Sequence, residues 1–157
     1  MNQNRRELLK AGGGTAVMVL AASAGLLGSE SAFAQEWNKT AFEGKSLNEV
    51  VKALGGMTAA ESKDISFFNT ADIAESGATV SVGVISKLPR TETIAILVEK
   101  NPAALSANFT IPDGTESTVL TRVKMAQTSN VYALVKADGK YLYAVKEVKV
   151  TLGGCGG

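Results

Sequence analysis

Apolar positions along this chain change period partway through, and the change divides it. Leu47, Val50, Val51 and Leu54 recur at helical spacing. Ser46 and Glu49 stand three residues apart as a capping box at the start, and Gly55-Gly56 closes the run. The stretch from Glu36 to Lys45 is a second helical candidate, with Trp37 and Phe42 as its anchors. From Ile65 onward the period is two. Ile65 to Thr70 reads as a first strand. Val80, Val82 and Val84 alternate with Thr79, Ser81 and Gly83, and Ile94, Ile96 and Val98 repeat the pattern. Phe109 and Ile111 end the next run before Pro112-Asp113-Gly114 turns the chain. Val119, Thr121, Val123 and Met125 alternate with Leu120, Arg122 and Lys124. Val131, Ala133 and Val135 lead into Asp138-Gly139, a two-residue hairpin signal.

The return strand, Tyr141 to Leu152, has no single apolar face. Tyr141, Tyr143 and Val145 share one side; Val148, Val150 and Leu152 share the other. Either a bulge near Lys146-Glu147 swaps the faces or both sides are covered. About seven short strands separated by turns predict an all-β fold, an immunoglobulin-like antiparallel β-sandwich, with a small barrel as the competing architecture. A short N-terminal helical segment precedes the sandwich and a flexible Gly-rich tail follows it.

The first 34 residues change the picture of where the domain begins. Arg5-Arg6 sits in a short basic region, a weakly apolar Gly/Ala-rich stretch runs from Ala11 to Gly28, and Ala32-Phe33-Ala34 forms an A-x-A cleavage pattern. This reads as an export signal cut after Ala34, with the arginine pair pointing to the twin-arginine route. A membrane anchor or an ordinary secretory signal is the alternative. The expected organisation is an export signal over 1–34, a helical segment packing on the sandwich over 35–60, the sandwich over 61–152, and a tail over 153–157. The implied location is periplasmic.

Charge and rare residues then exclude function classes. Removing the signal takes three basic and two acidic residues from totals of 16 and 15, leaving 13 of each. A neutral chain signals no basic surface for nucleic acid or anionic lipid. No second hydrophobic run is long enough to span a membrane. Histidine is absent, which excludes a Ser-His or Cys-His nucleophile pair and the usual zinc ligand sets. No cofactor or metal is implied.

The single cysteine forbids an internal disulfide. It is Cys155, set between Gly153-Gly154 and Gly156-Gly157. Glycine has no side chain to bury and loses the most backbone freedom on ordering, so the segment is expected to stay mobile. At roughly 3.3–3.6 Å per extended residue, the thiol would reach about 10 Å beyond the last strand. No basic residue flanks it, so the tail lacks the electropositive setting of a catalytic thiol. It is a poor catalyst and a good handle. A buried core cysteine, a disulfide between two copies and a sulfur carrier of the ubiquitin-like kind are the alternatives; the export signal opposes the last.

The Gly153-Gly154-Cys155-Gly156-Gly157 tail resembles the C-terminal signature of the SoxY family, sulfur carriers of the periplasmic thiosulfate-oxidising system. Glu99-Lys100-Asn101-Pro102, Arg122-Val123-Lys124-Met125-Ala126, the Ile73-Ala74-Glu75-Ser76-Gly77 turn, the Gly139-Lys140 hairpin and the Ser46 to Gly56 helix also resemble family segments. The resemblance implies a non-enzymatic subunit that pairs with a small SoxZ-like protein as a heterodimer. It implies that Cys155 bears the substrate covalently, as S-thiosulfonate and persulfide. Gly153 and Gly154 would form a swivel, and Gly156 and Gly157 would keep the far side slim. The arm would visit a haem-containing protein, a dimanganese hydrolase and a sulfur dehydrogenase in turn. The rival reading is a structural or adhesion-type sandwich module cross-linked through its terminal cysteine.

Overall fold

The structure, a computed structural model, describes residues 38–152. Two short helices come first: α1 over Lys39–Glu43 and α2 over Leu47–Ala53. Asn38 caps α1, its side-chain oxygen accepting from the Ala41 N–H at 3.1 Å, while its Nδ2 donates to the Ala53 carbonyl at 2.9 Å. One side chain thus caps one helix and joins it to the end of the other. Ser46 caps α2, its hydroxyl accepting from the Glu49 N–H at 3.3 Å. The Glu49 carboxylate reaches back one residue beyond the cap, to the Lys45 N–H at 2.9 Å. At the other end Gly55 takes a left-handed φ of 89°. The Gly55 N–H donates to Lys52 O and the Gly56 N–H to Val51 O, the paired bonds of a Schellman stop.

Nine strands follow: β1 Ala59–Glu61, β2 Ile65–Phe68, β3 Ile73–Ser76, β4 Val80–Ser86, β5 Thr91–Val98, β6 Leu105–Thr110, β7 Thr118–Val123, β8 Ser129–Ala137 and β9 Lys140–Leu152. They form two sheets, as an immunoglobulin-like β-sandwich requires. The larger has the order β1-β9-β8-β5-β6, with β3 also on β9; the smaller has the order β2-β4-β7. Two strands lie where the sequence predicted none: β1 in the stretch assigned to the helical segment, β3 in the segment read as a turn. Both are short, and both run parallel to β9 within a framework that is otherwise antiparallel. The hairpin between β8 and β9 turns at Asp138 and Gly139, both at positive φ, which matches the right-handed twist of the flanking strands.

Why β9 lacks one apolar face becomes clear from its neighbours. Its register with β8 runs unbroken from Ala137↔Lys140 to Ser129↔Val148, so no bulge occurs at Lys146-Glu147. Both faces are covered instead, by different partners. Leu142, Ala144, Val148 and Val150 pack toward the smaller sheet, in a core with Val82, Val84, Ile94, Ile96, Val131 and Met125. Tyr141 and Tyr143 point the other way, into a second core with Ala41, Val50, Val51, Ala95, Leu97 and Leu134. The described residues therefore form three layers: helices, larger sheet, smaller sheet. Ile94 to Val98 is buried throughout because β5 lies in the middle layer.

Candidate functional site

Several sequence-predicted site residues lie outside the described residues: Cys155, Gly153, Gly154, Gly156 and Gly157, and, at the other end, Arg5, Arg6 and Ala34. Trp37 lies outside them as well. The structure does describe the ground from which the tail departs, the end of β9 at Leu152.

Along one edge, β9 carries two strands in tandem. β1 pairs with its first part, Ala59↔Tyr141 to Glu61↔Tyr143. β3 pairs with its last part, Ile73↔Lys149 to Ser76↔Leu152. Between them no strand among the described residues covers the edge, and Lys146 occupies the gap. Its ammonium donates to the Thr70 carbonyl at 2.5 Å and lies 3.0 Å from the Asp72 carboxylate. The chain entering β3 is held against β9 by that lysine, and the Lys149 N–H adds a bond to Asp72 O at 2.9 Å.

Leu152 is 69% exposed and Ile73, on the neighbouring strand, 63%. Side-chain burial does not secure this end of β9. Hydrogen bonds from Gly77 and Thr128 do, the first backed by Met125 and Asn101. The buried Gly77 donates its N–H to Leu152 O at 2.7 Å and accepts at its own carbonyl from the Met125 N–H at 2.7 Å. Met125 is fully buried. The residues on either side of it are gripped by Asn101, whose Nδ2 donates to Lys124 O at 2.8 Å and whose Oδ1 accepts from the Ala126 N–H at 2.9 Å. Thr128 adds a further tie, its hydroxyl accepting from the Val150 N–H at 2.9 Å. Three of the segments singled out in the sequence, 73–77, 99–102 and 122–126, meet here. The other two, the hairpin and the α2 segment, meet at the opposite end of β9, where Tyr141 Oη donates to Leu54 O at 2.7 Å.

Electrostatics beside this root are mild. Glu99 accepts from Asn130 Nδ2 at 3.0 Å and from Tyr132 Oη at 3.4 Å. Burial, reinforced by the Glu99 charge, pushes the Tyr132 phenol above its ordinary value. Among the described residues no group of three or more Asp, Glu, His or Cys is placed to hold a metal ion, and no helix is long and apolar enough to cross a membrane. The clamp of Asn101, Met125 and Gly77 was not legible in the sequence. The signals available were an Asn followed by Pro102 and a methionine just past the end of an alternating strand.

A family model described as "Sulfur oxidation protein SoxY" matches residues 51–155. Among solved structures, the sulfur carrier protein SoxY from Chlorobium limicola f thiosulfatophilum is 33% identical, with a TM-score of 0.60, covering 67% of this chain and 94% of that one. A superoxide reductase (neelaredoxin) from Ignicoccus hospitalis is 16% identical, with a TM-score of 0.48, covering 63% of this chain and 86% of that one. No curated protein matches the chain.

Proposed function

The chain belongs to the SoxY family, non-enzymatic sulfur carriers of sulfur oxidation, and from that premise we propose that Cys155 is the atom-bearing site and residues 153–157 the arm that presents it. The observation that carries the reading is where the family match ends: residues 51–155 take in the sandwich, Gly153, Gly154 and the single cysteine. Leu152, with an exposed side chain, is the last residue of β9. Beyond it the sequence offers only glycine and one thiol.

The chemistry suits a handle better than a catalyst. An unassisted thiol has a pKa near 8.5 and is a few per cent thiolate at neutral pH. Activation therefore falls to the visiting enzyme. In the proposed cycle a haem-containing partner accepts two electrons as the Cys155 sulfur and the sulfane sulfur of thiosulfate join, giving an S-thiosulfonate. A dimanganese hydrolase adds water, releases sulfate and leaves a persulfide on Cys155. A sulfur dehydrogenase removes six electrons from the outer sulfur, with water supplying the oxygen, and a second hydrolysis returns the thiol. Gly153 and Gly154 provide the swivel; Gly156 and Gly157 leave the far side without side chains.

The same proposal places the protein in the periplasm after export through Arg5-Arg6 and cleavage at Ala34, paired with a SoxZ-like subunit. Folded co-export of the pair would suit the twin-arginine route.

Intact-mass measurement of native protein tests the reading. Sulfur or thiosulfonate adducts confined to the peptide containing Cys155 are the expected result. A thiol that is always bare, with Cys155→Ser still supporting thiosulfate oxidation, would sink it.

A further inference from the structure

We propose that Asn101 is a positioning residue for the sulfur-bearing arm, acting through Met125 and Gly77 to fix the point from which the arm swings. The inference rests on the carrier reading of Cys155.

The need for such a device follows from the packing. A strand end at a sheet edge, carrying an exposed Leu152 and only the four-residue β3 as its outer neighbour, has little side-chain burial to keep it from fraying. Yet Leu152 O is bonded to Gly77, whose backbone also accepts from Met125. Met125 is anchored by its buried side chain, and the peptide groups around it are held on both sides by the Asn101 carboxamide. The path has three links: Asn101 to the 124–126 backbone, Met125 N–H to Gly77 O, Gly77 N–H to Leu152 O. Asn101 itself is held by its turn, its N–H donating to Val98 O at 3.2 Å, while the preceding Lys100 N–H donates to Ser129 Oγ at 3.0 Å. A carboxamide is suited to the task because it donates and accepts at once, from two atoms of one planar group. Neither aspartate nor alanine does both.

The consequence concerns tether length. With β9 fixed to Leu152, Cys155 stands three positions beyond the anchor. If the strand frays back to Val150, which Thr128 still holds, it stands five positions beyond. For a partner that engages the body and the thiol together, effective concentration falls as about the −3/2 power of tether length, so this lengthening reduces it roughly twofold. The loss belongs in KM for the carrier, with kcat unchanged, because the chemistry at the thiol is untouched.

The experiment uses the full mature chain. Hydrogen exchange is followed at Gly77 and Met125 in native protein, Asn101→Ala and Tyr141→Phe; the last loses a bond at the far end of β9. Loading of Cys155 from thiosulfate by the haem-containing partner is measured in the same three proteins. The expected result is exchange at Gly77 faster by about tenfold or more in Asn101→Ala, with KM for the carrier raised about twofold and kcat held. Tyr141→Phe should change neither. Should Asn101→Ala fail to fold, Asn101→Asp keeps the acceptor for Ala126, loses the donor to Lys124, and is read the same way. Unchanged exchange at Gly77 overturns the inference, as does faster exchange with native KM, or an equal rise of KM in Tyr141→Phe. A Cys155→Ser chain that supports thiosulfate oxidation as well as the native one sinks the carrier reading and this inference with it. A failed clamp with Cys155 essential sinks the inference alone.

Discussion

The ring of Tyr141 lies so close over Gly56 that a Cβ on the glycine would sit 2.5 Å from the tyrosine Cδ2. The same Cβ would meet Val51 Cγ1 at 2.8 Å, so Gly56 is pinned between the start of β9 and the α2 helix. Tyr141 closes the arrangement by donating its hydroxyl to the Leu54 carbonyl. Gly56→Ala is therefore expected to destabilise the domain by about 1–3 kcal/mol, the usual cost of overpacking a filled site. Urea unfolding measures it. The proposed sulfur loading at Cys155, which follows the other end of β9 in sequence, should be unaffected in the folded fraction.

A backbone contact should be less forgiving than a ring. At Gly83 an added Cβ would collide with the Phe68 carbonyl oxygen across the β2–β4 pair. The Gly83 N–H also donates to the Thr70 hydroxyl at 3.1 Å, which in turn donates to Phe68 O. The ladder must open to admit a methyl group. Gly83→Ala is expected to cost more than Gly56→Ala, toward the upper end of about 1–3 kcal/mol or beyond. Parallel urea titrations rank the two; equal midpoints would show that the β2–β4 ladder yields as readily as a side chain.

Parts of this architecture were legible because their causes are local. Ser46, Glu49 and Gly55 announce α2 within ten residues of chain, and Asp138-Gly139 demands a hairpin wherever it stands between alternating strands. The two-faced burial of β9 was half legible: covering on both sides was one of two options, and the apolar Ala95 and Leu97 between Ile94, Ile96 and Val98 carried the same message about β5. What failed was pairing at long range. β1 and β3 have three and four residues, too few to show a period. Their placement depends on β9, 82 and 76 residues later in the chain respectively. The proposed chemistry of the tail rests on one thiol among glycines, a matter of composition that lies outside the described residues. The ground beneath it needed Asn101, Met125 and Gly77 to be brought together by the fold.

Acid should expose the role of Glu92. Its carboxylate accepts from the Lys136 ammonium at 2.6 Å and from the Gly139 N–H at 3.0 Å, bracing the hairpin. The bond to Lys136, then that to Gly139, holds its pKa below the ordinary value. In the window between the folded and unfolded values, the unfolded chain binds more protons, so stability rises with pH there. The contribution is present above the ordinary carboxylate pKa and is lost as pH falls through the depressed one. Glu92→Gln keeps an acceptor for Gly139 and removes the charge. Thermal unfolding across the acid range should show a shallower pH dependence in the variant. Because the pair is exposed to solvent, the difference should be small and should shrink further in high salt.

Bulk in the proposed arm should separate carriage from folding. If residues 153–157 serve as a tether that enters partner clefts, Gly154→Val adds a β-branched side chain next to Cys155 and restricts the swivel. The bonds that hold the end of β9, from the Gly77 N–H to Leu152 O and from the Val150 N–H to Thr128 Oγ1, lie at other residues. The urea midpoint is expected to match that of the native chain. Sulfur transfer to the partner enzymes should slow by about tenfold or more, since roughly 1.4 kcal/mol of steric cost on cleft binding is a tenfold loss. Gly156→Val should act in the same direction if the thiol is inserted deeply, and much more weakly if only its near side contacts the cleft. Comparing transfer rates of the two variants at matched stability thus reads the depth of insertion. A Gly154→Val chain that unfolds early would assign the tail to the fold and remove the tether from the account.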